Sequence, residues 1–278
     1  MTRPGNAAAH TVTDTTKSQT RPSSTWTGWG QWLALITMTI DHLSRYAAPD
    51  SCDLGWASSS LGRIALPLFA AMVAWHGLFN TRNPLRYARR ILMIGLVAQL
   101  PYMLMPRSSD ALILNICFTL SLGLAGGTWL KTLPARFANG TLGRIRLAIE
   151  GAAALGAWLL AGQWVEYSHM GLLMIPLYML AMQHLYLIRS GLAERLQATA
   201  MALPVLLVAG MMNSSDMAKS FTVATCLMIL LLAAGAHRLT PAVPFQMPRW
   251  LWLGWYPGHF AAIAVWLGAS GRLAGGFF

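Results

Sequence analysis

The chain has 278 residues, of which 55% are hydrophobic and only 10% are charged. A water-soluble domain of this length needs a more polar surface, so the composition excludes a soluble enzyme and indicates a protein built for lipid. The net charge of +11 does not indicate nucleic-acid binding, because the basic residues lie in short breaks between apolar runs. Three cysteines at unrelated spacings, with no histidine at ligand distance, predict neither disulfides nor a metal site.

The N-terminal residues 1–27 are rich in Thr, Ser, Asn and Arg and contain no apolar run. They lack the apolar core of a cleavable signal peptide, so we predict a disordered cytoplasmic tail. Residues 28–278 are predicted to form a single all-α transmembrane domain of about eight or nine helices, each near the ~20 residues that cross a bilayer. The predicted spans are 30–48, 57–79, 89–106, 111–130, 147–163, 169–188, 196–212, 218–236 and 250–268.

Lys and Arg alternate between the predicted loops in a way that indicates orientation. Positive charge in short loops is held on the cytoplasmic side of a membrane. With the N-terminus in the cytoplasm, only Arg107, Lys219 and Arg272 fall on the outer side. The sequence therefore predicts a multi-pass protein of the bacterial inner membrane. Small residues at 123–127 and 151–157 also predict close approach between helices.

The first predicted span contains ionisable residues, which are costly inside a bilayer unless they are paired or hydrated. Asp41 and His42 lie four and three residues before Arg45, so all three project from neighbouring positions on one helix surface. An aspartate that orients an imidazole is a recurring general-base arrangement. The alternative is an Asp41–Arg45 ion pair that only makes the helix insertable.

The second predicted span carries Arg63, directly after Gly62, and ends at His76 near the inner face. Arg63 is expected in the outer half of the membrane, at the depth of Asp41 and His42, where a fixed cation suits an anionic group. The alternative is that Arg63 snorkels to the external surface. Gly62 allows another backbone or a ligand to come near Arg63.

A basic loop follows the second span. Its charge would attract the phosphate groups of a nucleotide-like cofactor or of lipid, although a topology signal alone also explains it. The arginines of this basic loop are Arg82, Arg86, Arg89 and Arg90.

Polar residues in the later spans are weaker signals. Asn115 and Thr119 are four residues apart on one helix face and are expected to bond a neighbouring helix. Glu166 and His169 lie at an external loop or helix edge, where solvation explains them. His259 lies a few turns inside the last span, among apolar residues that do not explain an imidazole.

The segments LALITMTIDHLSRY, LGRIALPLFAAMVAWHG, FNTRNPLRYARRILMIGLVAQLPY and LNICFTLSLGL follow one another in the chain. In this order they resemble the TraX family of conjugative-pilin acetyltransferases, to which the TrbP proteins of other conjugation systems are similar. The later spans match mainly in hydropathy, with short matches at EYSHMGLL and WYPGHFAAIAVWLG. The aspartate–histidine pair also looks like a feature of wider classes of transmembrane acyltransferases.

The resemblance implies transfer of an acetyl group from acetyl-CoA, a co-substrate, to the N-terminal amine of a processed pilin. In that reaction His42, oriented by Asp41, takes a proton from the attacking amine, or else His42 or His259 briefly carries the acetyl group. Arg63 or Arg45 would steady the developing oxyanion.

The resemblance also implies that the coenzyme binds at the cytoplasmic face. No glycine-rich acyl-CoA loop of the soluble acetyltransferase kind is present, so helices must build the donor site. The residues assigned to the coenzyme are His76, Arg82, Arg86, Arg89 and Arg90.

Two other functions fit the same residues. Head-to-tail cyclisation of pilin is the nearest rival, and it favours an outward-facing nucleophile such as Cys52 or Ser44, neither of which lies in a motif. A proton-coupled transporter or a non-catalytic pilin chaperone would also use intramembrane Asp, His and Arg. Polar residues concentrate in the first two spans, which favours one site over a transport path. The expected partners are pilin and the lipid bilayer, with no nucleic acid.

Overall fold

A computed structural model of the protein describes residues 25–48, 52–107, 111–186 and 191–272. Within these ranges every regular element is helical, apart from an isolated bridge between Leu114 and Val165. The all-α prediction is therefore confirmed for this part of the chain. Of the predicted disordered tail, residues 1–24 lie outside the described residues.

The apolar runs become helices that alternate in direction because short loops join them. The helices are α1 Thr25–His42, α2 Gly55–Ser59, α3 Ala65–Trp75, α4 Pro84–Met103, α5 Ile116–Ala138, α6 Arg144–Ala161, α7 Ser168–Tyr186, α8 Leu192–Met211, α9 Asp216–Ala233 and α10 Arg249–Ala269. Two π-helical turns extend α1 and α3, at Leu43–Ala47 and His76–Asn80.

Among the described residues, four helical segments are long and apolar enough to cross a membrane. The bundle also exposes large apolar side chains such as Leu100, Leu207 and Val265, which lipid would cover. The chain is a membrane protein on both grounds. The four segments are Gly55–Asn80, Ile116–Ala138, Leu192–Met211 and Asp216–Ala233.

Helix α7 forms the centre of the bundle and packs against α3, α5, α8 and α9. The close approach predicted for the small residues at 123–127 is confirmed at Gly123 and Gly127 but not at Gly126; a Cβ on Gly127 would lie 2.6 Å from Met179 Sδ and 3.2 Å from Pro176 Cα. The same prediction for 151–157 is wrong. Gly151 and Gly156 have nothing within 4 Å of an added Cβ, because α6 buries none of its residues and lies at the edge of the bundle.

The predicted span 57–79 is not one continuous helix. It is broken between α2 and α3 by a 3₁₀ turn, Leu61–Ile64, which follows an irregular backbone at Ser60. The break brings Gly62 against α1, where a Cβ would lie 2.5 Å from Asp41 Oδ1. Only glycine fits there, so the broken helix and the buried carboxylate depend on each other.

Candidate functional site

Asp41 is buried at the end of α1, and its carboxylate is held by short polar contacts. Ser58 Oγ donates a hydrogen bond to Oδ1 at 2.5 Å. Arg45 Nη2 lies 3.1 Å and 3.2 Å from the two carboxylate oxygens. The structure therefore contains the Asp41–Arg45 pair that the spacing predicted, and it adds Ser58 from α2. A buried charge is tolerated when it is paired and hydrogen-bonded in this way.

Helix α10 is fixed beside α1 by bonds on either side of His259. Trp255 Nε1 donates to Thr39 Oγ1 at 2.9 Å. Three residues beyond the end of α10, the Arg272 guanidinium donates to the carbonyls of Ala47 and Ala48 at 3.2 Å and 3.1 Å. These bonds set the depth at which His259 faces α1.

His42 and His259 form a direct pair inside the bundle. His42 Nδ1 lies 2.6 Å from His259 Nε2, and the two rings are nearly parallel, at 4°. His259 Nδ1 lies 2.8 Å from the Trp255 carbonyl oxygen, which can only accept, so this nitrogen carries the proton of a neutral His259. His259 Nε2 is then the acceptor, and His42 donates from Nδ1. The lone pair of a neutral His42 is therefore on Nε2.

This geometry corrects the prediction that Asp41 orients His42. The Asp41 Oδ2 to His42 Nε2 distance is 3.8 Å, which is too long for a hydrogen bond. The bond that orients His42 is made with His259 instead. Asp41 remains close enough to stabilise the imidazolium that forms when Nε2 takes a proton.

Arg63 lies on the 3₁₀ turn and lines a small cavity of about 300 Å³ that is mostly polar. Its Nε is buried and has no hydrogen-bond partner among the described residues. Buried donors normally have a partner, so this nitrogen is available to a ligand. We call this space the polar cavity; it is lined by Arg45, Ser58, Arg63, Glu166 and Tyr167.

Glu166 reaches the polar cavity from the loop between α6 and α7, which is pinned to the start of α5. The Glu166 backbone N–H donates to the Leu114 carbonyl at 2.9 Å, and Thr119 Oγ1 donates to the Glu166 carbonyl at 2.7 Å. The Ile116 backbone N–H donates to the Glu166 carboxylate. Burial raises the pKa of this loop carboxyl to about 7, although the charge of Arg45 acts in the opposite direction.

The next two residues of that loop, Tyr167 and Ser168, have left-handed backbones with φ of 62° and 52°. Such conformations cost of order 1–3 kcal/mol in non-glycine residues and are found mainly where surrounding structure imposes them. The strained backbone places the Tyr167 side chain in the wall of the polar cavity.

A larger cavity of about 1100 Å³ adjoins the polar cavity, since Arg45, Glu166 and Tyr167 line both. It opens between the α4–α5 loop, the α6–α7 loop and the end of α8. Its wall includes Arg107, whose guanidinium lies 4.4 Å from the centre of the Tyr102 ring. We call this space the vestibule.

The residues predicted to bind the coenzyme lie at the other end of the bundle. Thirteen residues of helical rise separate Arg63 from His76, which corresponds to about 20 Å. His76 Nδ1 accepts a hydrogen bond from Asn80 Nδ2 at 2.8 Å. The four arginines of the basic loop are exposed, and none of them forms an ion pair with a described residue.

A narrow cavity of about 500 Å³ begins at this basic end and runs between α1, α3, α4, α5 and α10. Arg90 and Arg249 line it at the basic end, and Tyr256 lines it toward the site. The Tyr256 ring lies 5.7 Å from the His259 ring, and its buried hydroxyl has no hydrogen-bond partner among the described residues. We call this space the α10 channel. It approaches the histidine pair from the side opposite the vestibule.

A fourth space is an apolar groove of about 1230 Å³ between α1 and α10, which reaches His259 from the side of the bundle. Trp56, Trp250 and Trp266 line it, so lipid would fill it. The described residues include no group of three or more His, Cys, Asp or Glu side chains arranged to hold a metal ion.

The structure thus brings Asp41, His42, Arg45 and His259 together, with Arg63 on the neighbouring wall, and keeps the residues predicted for the coenzyme apart. Sequence reasoning missed Ser58 and gave Glu166 little weight. Ser58 is one of three consecutive serines and carries no motif, so no local signal identifies it. For Glu166 the available signal was a carboxylate at the boundary of two apolar runs.

Comparison with known proteins gives one match: a model of the TraX protein family aligns with residues 30–266. No curated protein and no solved structure matches the chain. The aligned range contains every residue of the site described above.

Proposed function

The chain belongs to the TraX family, and we propose from this membership that it transfers an acetyl group from acetyl-CoA to the N-terminal amine of a conjugative pilin. Membership in the family assigns the chain a role in conjugal transfer. The acetyl transfer, the pilin and the coenzyme belong to the proposal. So do the location in the bacterial inner membrane, the cytoplasmic N-terminus and the count of eight or nine spans.

The observation that carries the proposal is the free lone pair on His42 Nε2 beside the paired carboxylate of Asp41. Only a neutral amine attacks a thioester, so the reaction needs a base at the acceptor. The amine nitrogen bonds to the acetyl carbon, the carbon–sulfur bond breaks, and Nε2 takes the proton lost by the amine. The thiolate that leaves then receives a proton, which restores neutral His42.

The arginines have different parts in this scheme. Arg45 is bonded to both oxygens of Asp41 and to Ser58, so it holds the carboxylate in place. The Arg63 guanidinium forms no ion pair with a described residue, and its terminal N–H groups are free to bind an oxygen that develops negative charge. Of the two arginines proposed for the oxyanion, the geometry favours Arg63.

The α10 channel supports a donor that enters from the basic end. Coenzyme A has phosphates at one end and a long, weakly polar arm that ends in the thiol. Arg90 and Arg249 would meet the phosphates, and the arm would follow the apolar wall toward Tyr256 and His259. In this assignment Arg90 is the residue of the basic loop that lines the channel, and Arg82, Arg86, Arg89 and His76 would assist from the same end of the bundle.

The test is the intact mass and N-terminal peptide of the cognate pilin from cells with the wild-type protein, no protein or His42→Ala. The expected result is one added acetyl group on the N-terminal residue, present only with the wild type. Loss of one water from the pilin would establish cyclisation instead. An unchanged mass in all three strains would leave a chaperone or a transporter.

A further inference from the structure

The polar cavity combines a free cation with a free anion. Arg63 offers a buried N–H without a partner, and Glu166 offers a carboxylate that forms no ion pair with a described residue. Arg45 cannot neutralise Glu166 fully, because its guanidinium is bonded to Asp41 and Ser58. A ligand that offers only hydrogen-bond donors, or only acceptors, would leave one of these groups without a partner.

We propose that the polar cavity is the acceptor site, in which Glu166 binds the terminal ammonium of an incoming peptide and Arg63 binds its first peptide carbonyl. This inference rests on the proposed acetyl transfer and names where its acceptor lies. The N-terminus of a peptide carries an ammonium and a carbonyl on the same Cα, so it matches the paired groups of the cavity. Glu166 is a positioning residue here: the bound ammonium first releases one proton to solvent to become the attacking amine, and His42 takes the second proton as the amide forms.

The size of the cavities limits what can enter. A volume of about 300 Å³ is at the lower limit of ligand sites, so the polar cavity admits a small terminal residue and not a folded chain. The adjoining vestibule of about 1100 Å³ has room for the residues that follow. A peptide would enter through the vestibule, while the donor would approach through the α10 channel as far as Tyr256, beside the His259 ring.

The loop that carries Glu166 has the rigidity that such a site needs. Its backbone is bonded to Leu114 and Thr119, and the strained Tyr167 follows directly. Burial of a carboxylate costs stability, and the raised pKa of Glu166 is the expression of that cost. A bound ammonium would offset this cost by pairing with the carboxylate.

The test uses the full-length protein in lipid nanodiscs with acetyl-CoA and a synthetic peptide of the cognate mature pilin N-terminus. For Glu166→Gln we expect the KM of the peptide to rise at least about tenfold, the effect of losing one charge-assisted hydrogen bond. The KM of acetyl-CoA should stay within about twofold. Glu166→Asp should recover part of the loss. The matched control is Glu194→Gln, the same change at an exposed position in the first turn of α8.

A binding measurement separates this inference from the proposed reaction. The probes are the same peptide with an N,N-dimethylated terminus, which stays cationic and cannot be acetylated, and with the amine replaced by hydrogen. The wild type should bind the cationic peptide at least about tenfold more tightly, and Glu166→Gln should bind both equally. If the preference exists but no acetyl is transferred, only the reaction is wrong. If acetylation occurs and Glu166→Gln behaves as wild type in both assays, the acceptor site is wrong.

Discussion

At the scale of single residues, the two histidines have different roles: His42 acts as the general base, and His259 sets the tautomer of His42. His259 is held by the Trp255 carbonyl and fixes the proton of His42 on Nδ1. This leaves Nε2 free next to Asp41. The arrangement resembles a triad in which a second imidazole, and not a carboxylate, selects the tautomer.

Replacing His259 tests this division. In His259→Phe the His42 Nδ1–H loses its acceptor, so we expect kcat to fall by about 10²-fold or more, within the range of general-base contributions. His259→Gln keeps an acceptor and should retain more activity than the Phe variant. The measurement is kcat with saturating acetyl-CoA and peptide, with the thermal midpoint as a check on folding. Equal and complete loss in both variants would instead favour an acetyl carried on His259.

The pKa of Glu166, about 7, predicts how acceptor binding depends on pH. Its value lies above that of a free carboxyl, so the group is mostly neutral below pH 7 and mostly charged above it. The KM of the peptide should therefore fall as the pH rises from about 6 to about 7, below the usual α-amino pKa of about 7.7–8.0. Glu166→Gln should flatten this slope.

The other charged and titratable groups near Glu166 provide the control. The arginines do not titrate in this range, and imidazoles do. His169→Gln should therefore keep the slope, and a slope lost in that variant would assign it to His169 instead. The groups that interact with Glu166 are Asp41, Arg45, Arg107, Tyr102, Cys117 and Tyr256, and those lining the same cavities are Arg63, Tyr167, Tyr46 and His169.

At the scale of helices, the break between α2 and α3 creates the site. A continuous helix would place the positions of Ser58 and Arg63 by a regular 100° rotation, whereas the 3₁₀ turn between them leaves Ser58 bonded to Asp41 and Arg63 on the wall of the polar cavity. Arg45 lies in the π-helical turn after α1 and is bonded to the same carboxylate. Irregular helix turns of this kind are frequent at functional sites.

The substitution Gly62→Ala tests the close packing of the 3₁₀ turn against α1. The new Cβ would overlap the Asp41 carboxylate, so we expect a loss of about 1–3 kcal/mol in stability together with loss of activity. The control is Gly126→Ala in α5, where an added Cβ meets nothing within 4 Å. That change should be neutral or stabilise the helix by about 0.5–1 kcal/mol. Thermal midpoints in nanodiscs report both, and a Gly62→Ala protein as stable as wild type would contradict the fit.

At the scale of the whole molecule, the cavities divide the bundle into a donor side and an acceptor side. The basic loop and the mouth of the α10 channel lie at one end, and the vestibule lies at the other. Charge asymmetry between the two ends is also what orients a chain during membrane insertion. The unequal distribution of Lys and Arg between the two ends would thus set both the membrane topology and the side from which the coenzyme enters.

Cysteine labelling tests the orientation. The background protein carries Cys52→Ala, which removes the exposed native thiol. A membrane-impermeant maleimide is applied to cells with a permeabilised outer membrane. It should label Gln163→Cys in this background. It should not label Asn139→Cys, an equally exposed position at the other end of the bundle. The native Cys117 and Cys226 are buried and serve as the background. The opposite labelling pattern would invert the proposed topology and place the vestibule in the cytoplasm.

The sequence by itself determined local features: which segments are helical and which residues meet within one helix. Hydropathy over windows of about 20 residues specified the helical membrane character, since each apolar run must satisfy its backbone internally in lipid. The four-residue spacing of Asp41 and Arg45 specified their contact, because such neighbours meet on any helix. Local reasoning failed for the small residues of α6, because nothing lies within 4 Å of a Cβ added to Gly151 or Gly156.

What only the tertiary structure decided is which distant residues meet. His42 and His259 are 217 residues apart, and their contact depends on the order in which helices pack around α7. That order also determines the tautomer of His42, the packing of Gly62 against Asp41 and the position of Glu166. Hydropathy does not encode it, because lipid-facing and protein-facing apolar surfaces have similar composition and only packing distinguishes them.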